Sequence, residues 1–261
     1  MNIKVLRAIG RRLRQEIPPL VWKLYGSSPL GKGASGDLTY PLDKKAEDII
    51  FEELEGLNMP LTIISEEYGF KDIKGGGVKI LIDPIDGSKN ALTGIPLFST
   101  SIAIVVGEKI SDTSIGYVIN LISGDEFWAI KGGGSFLNGA QIKTQQTEEF
   151  NVIAYEAQTP RVDIPKILPL LSLFRRARCL GSTAIDLALL SEGAVSMFTT
   201  PVPSRSFDFA AGYLLVKEAG GIITDLNGKG IDNTPVGIKR TSPLLASGNE
   251  MLHRKALEIL K

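Results

Sequence analysis

The chain has few of the side chains on which most enzyme chemistry relies. Among 261 residues there is one cysteine, Cys179, and one histidine, His253. A single cysteine cannot close an internal disulfide or build a zinc cluster. A single histidine leaves no His-rich metal site and makes His-based triads hard to assemble. No apolar run approaches the ~18 residues of a membrane span, which predicts no membrane partner. Net charge is absent too, with 29 Lys+Arg against 29 Asp+Glu. Apolar residues make up 43%, enough for a sizeable core, which excludes global disorder. Carboxylates, hydroxyls, backbone groups and cations remain for chemistry.

The zero net charge hides a pattern. Residues 1–36 carry seven basic residues and one acidic, whereas residues 37–86 carry five basic and twelve acidic. Surface variation and one acidic helix explain part of this. A sharper explanation is that some acids in 37–86 hold metal ions. The basic N-terminus has apolar residues at Ile3, Leu6, Ile9, Leu13 and Ile17, a helical spacing. It lacks an uninterrupted apolar stretch and a small-residue cleavage site. A packed helix is expected there rather than a targeting signal, and the protein is expected to be cytoplasmic.

Hydrophobic periodicity predicts a helix over 2–25 kinked at Pro18-Pro19, a Gly/Ser/Pro loop over 26–41 and an amphipathic helix over 42–57. Strands are predicted at 61–65, 78–82, 100–106, 114–122, 126–131, 151–155, 194–199, 222–225 and 244–247. Further helices are predicted at 163–174, 183–192, 207–219 and 249–260. Strands partly run together and partly alternate with helices, which favours a layered α/β or α+β fold over a doubly wound parallel sheet. The second half begins near residue 146.

Three motifs match formally and fail in context. Gly31-Lys32-Gly33-Ala34-Ser35-Gly36 fits G-x-G-x-x-G, and Gly26, Gly31 and Lys32 fit the start of a P-loop. Both need a preceding strand and a following helix. Pro41 disfavours that helix, and Gly33 stands where the P-loop needs a hydroxyl. A calcium loop counted from Asp83 needs Gly at 88 and Glu at 94, where the chain has Ser88 and Gly94.

The informative segment is Val78 to Asn90. A buried strand delivers Asp83 at its carboxyl end. Pro84 bends the chain, and Asp86 can turn back toward Asp83. Gly87 and Ser88 follow at a helix start, where amide groups attract anions. Two carboxylates on a tight turn repel each other unless a cation lies between them, and Mg²⁺ is a hard ion that takes oxygen ligands. Turn formation and capping are the plainer roles for Asp83 and Asp86. Glu66-Glu67 after another strand adds acids at a strand edge. Asp208 stands in an otherwise apolar stretch, either as a helix cap or as a carboxylate needing a cation.

Together these segments resemble the inositol monophosphatase family of Mg²⁺-dependent, lithium-sensitive sugar phosphatases. The resemblance runs from about residue 4 to about 255. It rests on Ile64-Ser65-Glu66-Glu67, on Asp83-Pro84-Ile85-Asp86-Gly87-Ser88 with Asn90, and on Gly181-Ser182-Thr183-Ala184. Asp208 to Gly212 and Glu218 to Gly221 complete it. Thr93 to Pro96 and Val216 to Gly221 look most like archaeal members, which often act on both inositol monophosphate and fructose 1,6-bisphosphate. The resemblance implies an α+β fold, a layered α-β-α-β-α sandwich forming one unit of two lobes, 1–145 and 146–261. It implies a homodimer as well.

It further implies two or three Mg²⁺ ions held by Glu66, Asp83, the Ile85 carbonyl, Asp86 and Asp208. Ser88, where the family usually has Thr, would orient the attacking water with Asp43, and Glu66 would help through a third ion. The Gly87 and Ser88 amides would cradle phosphate, while Asp86 and the turn Gly181, Ser182, Thr183, Ala184 would face the sugar.

Two departures bear on substrate. Animal members carry a Glu near Thr200, and a family Asp is replaced by Ser196. Arg205, with Arg175, Arg176 and Arg178, could meet a second phosphate, as in fructose 1,6-bisphosphate. Surface solvation and a dimer contact are the alternatives for these arginines. A 3′(2′),5′-bisphosphate nucleotidase is the sister reading, to be favoured by an aromatic base platform near 198–213. A regulatory RNA- or protein-binding module is the reading from another class. Zero net charge and no basic, aromatic-interleaved stretch argue against nucleic acid.

Overall fold

The structure, a computed structural model, describes residues 1–261. Helix α1 (Ile3–Glu16) begins at Asn2, whose side chain accepts the Lys4 N–H. The predicted kink is a break: Pro18 opens a separate turn, α2 (Pro18–Val21), where its missing N–H and fixed φ are tolerated. The loop that follows holds two minimal strands, β1 (Gly31–Lys32) and β2 (Leu38–Thr39), paired antiparallel. Helix α3 (Pro41–Gly56) comes next.

Eight strands then form one sheet. They are β3 (Leu61–Ser65), β4 (Gly69–Ile73), β5 (Val78–Asp86), β6 (Ser99–Val105), β7 (Thr113–Asn120), β8 (Glu126–Ile130), β9 (Gly134–Leu137) and β10 (Ala140–Ile142), with the short helix α4 (Ser88–Leu92) between β5 and β6. Their order is β10-β9-β8-β7-β6-β5-β3-β4, with only β3 and β5 parallel. The second sheet comprises β11 (Val152–Tyr155), β12 (Arg176–Arg178), β13 (Met197–Arg205), β14 (Ile222–Thr224) and β15 (Arg240–Ser247), in the order β12-β11-β13-β15-β14. Helices α5 (Pro160–Leu171), α6 (Thr183–Ser191), α7 (Ser206–Glu218) and α8 (Glu250–Ile259) complete the chain.

Residue parity builds the layers. Along β5, Ile80 and Ile82 point one way, into a core with Leu6, Ile9 and Leu13 of α1 and Ile49, Ile50 and Leu54 of α3. Leu81 points the other way, into a core with α6, α7 and the inner face of the second sheet, including Phe198, Leu244 and Ala246. The outer face of that sheet carries Ile153, Met197 and Leu245, covered by Leu170 of α5 and Leu252 and Ala256 of α8. The result is the expected α-β-α-β-α sandwich. Helix α7 is apolar nearly all round because it lies between two sheets.

Several strands were not legible. Strands β4, β9, β10 and β12 lie toward sheet edges, where partial exposure relaxes apolar alternation. Strand β13 continues past Thr199 through Pro201 and Pro203 by breaking register with β15 between Thr200 and Ser204. Helix α5 starts earlier than predicted, with Pro160 in its first turn and Asp163 accepting the Thr159 N–H. No helix is long and apolar enough to cross a membrane.

Part of the charge pattern is helix pairing. Arg12 of α1 binds Glu16, Glu52 and Glu53 at 2.7–2.8 Å. The middle layer depends on close approach instead: a Cβ added at Gly116 of β7 would lie 2.6 Å from the Ala211 carbonyl oxygen of α7. Gly116→Ala is expected to lower stability by about 2 kcal/mol by forcing α7 off the sheet. Urea denaturation reads this directly, and an unchanged midpoint would show that the layer spacing is soft.

Candidate active site

Parallel pairing assembles the first part of the site. Strands β3 and β5 end at the same edge, in the register Ser65 with Ile82, so Glu66 and Asp83 become lateral neighbours. The Glu66 N–H donates to the Ile82 carbonyl at 3.2 Å. Buried Glu47 of α3 holds the turn by accepting from Ser65 Oγ (2.6 Å) and from the Tyr68 N–H (2.9 Å). Asp83 shares the face of Leu81, toward the start of α7. Strand β5 runs past Asp83 to Asp86, beyond its predicted end, through a break in its register with β6.

The second half of the chain supplies the rest. Asp208 sits in the first turn of α7, and its Oδ2 accepts the Arg205 N–H at 2.7 Å. The capping role is thus present, and Asp208 also faces the cleft. Asp86 reaches across to α6, where its Oδ2 accepts from Ser182 Oγ (2.7 Å) and from the Ala184 N–H (2.6 Å). Ser182 in turn caps α6 by accepting the Ile185 N–H.

The cleft has a volume of about 430 Å³. Glu66, Asp83, Ile85, Asp86, Gly87, Ser88, Gly181, Thr183, Arg205 and Asp208 all line it. Asp43, Ser182 and Ala184 stand behind its wall. Ser88 Oγ lies 2.7 Å from both Asp43 Oδ1 and the Ile85 carbonyl oxygen, so Asp43 reaches the cleft through this hydroxyl.

Electrostatics sets the carboxylates apart from ordinary surface acids. Burial pushes Asp43 up to about 6, against the hydrogen bonds from Ser88 and the Tyr40 N–H. Burial pushes Asp86 and Asp208 up to about 7, against their hydrogen bonds. Glu66 and Asp83 are held well above the usual carboxylate range by burial and then by their acidic neighbours, Asp208 first for Glu66 and Glu66 first for Asp83. Asp83 Oδ1 is buried without a hydrogen-bond partner. The side chains do not draw three carboxylates round one point. Their chemistry still fits a hard divalent cation, because the donors are all oxygen and one is orphaned.

Comparison with known proteins supplies the family. The model of the inositol monophosphatase family matches residues 1–261. The chain belongs to the inositol monophosphatase family. A fructose-1,6-bisphosphatase/inositol-1-monophosphatase of Methanothermobacter thermautotrophicus is 32% identical, covering 100% of this chain and 98% of that protein. Its counterpart in Archaeoglobus fulgidus is 34% identical, with 96% and 97% covered. The crystal structure of an inositol monophosphatase-fructose 1,6-bisphosphatase superposes with a TM-score of 0.87 at 28% identity, covering 99% of this chain and 100% of that one.

Within this family member, several sequence expectations change. Arg175, Arg176 and Arg178 are exposed on and beside edge strand β12 and do not line the cleft. Arg205 lines it, but its guanidinium binds Asp37 Oδ2 (2.7 Å) and the Ser35 carbonyl (2.8 Å). Ser196 is buried away from the cleft, donating to Gln145 Oε1 at 2.6 Å, so its exchange for an acid does not touch the site. Phe198, Phe207, Phe209 and Tyr213 are core residues and offer no base platform.

Lys89, Glu156, Gln158 and Arg240 line the cleft and were not anticipated. Glu156 follows strand β11 as Glu66 follows β3, a strand-then-acid pattern that could have found it. Its Oε1 accepts the Gly181 N–H at 2.8 Å and fixes the turn. Behind it, Asp186 is buried with both oxygens unpaired, and burial pushes it toward its neutral form.

The raised carboxylates predict how stability depends on pH. Their folded-state values lie above the ordinary 3.8, so protonation favours the folded chain. That contribution is complete below about pH 4 and is lost as pH rises through about 7. The thermal midpoint in chelator is therefore expected to fall between about pH 5.5 and 8. Mg²⁺ at a hundred times its Kd should restore about 2.7 kcal/mol at pH 8. A midpoint in chelator that rises with pH would overturn the repulsion argument.

Proposed function

We propose that this chain is a Mg²⁺-dependent phosphomonoester hydrolase that releases phosphate from a small sugar or inositol phosphate. Its family already makes it a phosphatase. The observation that carries the finer reading is the convergence of Glu66, Asp83, Asp86 and Asp208 on one cleft, with a buried Asp83 oxygen left unpaired. These carboxylates and the Ile85 carbonyl would hold two or three Mg²⁺ ions, which when bound supply Lewis acidity and neutralise charge on the transferring phosphoryl group.

The protein's own groups then have defined tasks. Ser88 Oγ orients the attacking water and takes its proton as the hydroxyl's own passes to Asp43 Oδ1, a group pushed up to about 6 and therefore suited to act as a base. The Gly87 and Ser88 amides face the phosphate. Asp86, held by Ser182 and Ala184, faces the sugar hydroxyls together with Gly181 and Thr183. With Ser88 and Asp43 placed to activate water, the phosphoryl group goes directly to water in line, without a covalent intermediate.

Arg205, Arg240 and Lys89 in the lining support a substrate with a second phosphate, as in fructose 1,6-bisphosphate. A nucleotide phosphate is the second reading. It is supported by a bifunctional NADP phosphatase/NAD kinase of Methanococcus maripaludis, 31% identical over 96% of this chain and 48% of that protein. A cytoplasmic homodimer inhibited by Li⁺ belongs to the same proposal, on the family resemblance.

Phosphate release should be assayed with Mg²⁺, with and without Li⁺, on inositol 1-phosphate, fructose 1,6-bisphosphate, adenosine 3′,5′-bisphosphate and NADP. Asp86→Asn is expected to abolish Mg²⁺-dependent release with circular dichroism intact; retained activity would sink the assignment. Ser88→Ala is expected to lower kcat about a hundredfold with little change in KM. A loss confined to KM would instead make Ser88 a binding group.

A further inference from the structure

The loop between β1 and β2 meets the far wall of the cleft through the Asp37 side chain and the Ser35 carbonyl. Asp37 Oδ2 receives Arg205 Nη1 at 2.7 Å and Arg240 Nη2 at 3.4 Å. All three residues line the cleft. Both arginines have a second partner, Arg205 in the same loop and Arg240 on its own wall. Arg205 Nη2 binds the Ser35 carbonyl, and Arg240 Nη1 binds the Pro203 carbonyl at 3.0 Å. With its amide oxygen turned toward them, Gln158 accepts from Arg240 Nη1 (3.0 Å) and Nη2 (3.2 Å). Two guanidinium groups thus share a single hydrogen-bonded carboxylate, with Asp208 the further acid within electrostatic reach of both.

The three partners differ in freedom. The Arg205 side chain is 7% exposed and the Arg240 side chain 31%, while Asp37 is 54% exposed on a loop tip beside Gly36, whose φ is +90°. The rest of the loop has its own anchors, with the Ala34 and Ser35 N–H groups bonded to the Glu67 and Glu66 carbonyls and the Ser35 carbonyl on Arg205. Asp37 can therefore leave the arginines without unfolding the loop. A phosphate dianion brings more charge and more acceptor oxygens than one carboxylate, and forked guanidinium groups match it better.

We propose that Asp37 is a built-in counter-anion occupying the place of a substrate's second phosphate, and so a specificity gate. A ligand with a dianionic group distal to the reacting ester displaces Asp37 from Arg205 and Arg240. A ligand without one leaves the latch closed and gains nothing from the arginines. This inference rests on the phosphatase reading of the cleft and adds the determinant that separates bisphosphates from monophosphates.

The test compares fructose 1,6-bisphosphate with fructose 1-phosphate, which differ only in the distal phosphate. In D37N, the ratio of kcat/KM for the bisphosphate to that for the monophosphate is expected to rise about tenfold, mainly through KM of the bisphosphate, the scale of one charge-assisted hydrogen bond. In R240Q the ratio should fall by a similar factor. Parallel changes for both esters in D37N, or an unmoved ratio in R240Q, would overturn the gate. A second measurement needs no turnover: in equilibrium binding with chelator present, D37N should tighten the bisphosphate about tenfold relative to the monophosphate. Equal effects on the two esters would overturn the gate even where neither is hydrolysed, whereas failure to hydrolyse any phosphate ester would overturn the phosphatase reading itself.

Discussion

The joint burial of Glu66, Asp83, Asp86 and Asp208 at one cleft is the constraint around which this protein is built. Acids crowded in a poorly hydrated cleft favour their neutral forms, and here all four are displaced upward. A fold that gathers them must supply enough apolar burial elsewhere to offset the strain. The layered sandwich does so with separate cores on each side of the larger sheet and a helix, α7, buried between two sheets. The acids sit at one end of the layers, where strand and helix termini converge.

The same constraint explains how the residues divide their work. Surface acids of α3 are matched by arginine and lysine, as Arg12 and Lys44 show. Acids of the cleft are instead pinned by neutral donors: Ser182 and the Ala184 amide for Asp86, the Arg205 amide for Asp208, Ser88 and the Tyr40 amide for Asp43. Neutral donors orient a carboxylate without cancelling its charge, which leaves that charge available to a cation. The two arginines of the cleft, Arg205 and Arg240, are engaged with Asp37 on the opposite wall.

Much of this was legible beforehand because it is local. Asp83, Asp86 and Ser88 fall within one strand–turn–helix segment, and the apolar repeats of α1, α3 and α7 name their own buried faces. The layer order followed from the resemblance and from strands mixed with helices. What stayed hidden depends on distant pairing. Arg240 has no pattern around it, and it reaches the cleft only because β15 pairs with β13 across a register break. Arg176 and Arg178 looked like phosphate binders in sequence and lie on an exposed edge strand. Ser182 and Ala184 were read as sugar contacts, whereas the structure places them behind the wall, holding Asp86.

The clasp on Asp86 has a consequence for biosynthesis. Glu66, Asp83 and Asp86 emerge from the ribosome long before α6 and Asp208. Until α6 arrives, Asp86 lacks the two donors that aim it. The four carboxylates are therefore brought to one cleft only once α6 and α7 lie against the larger sheet.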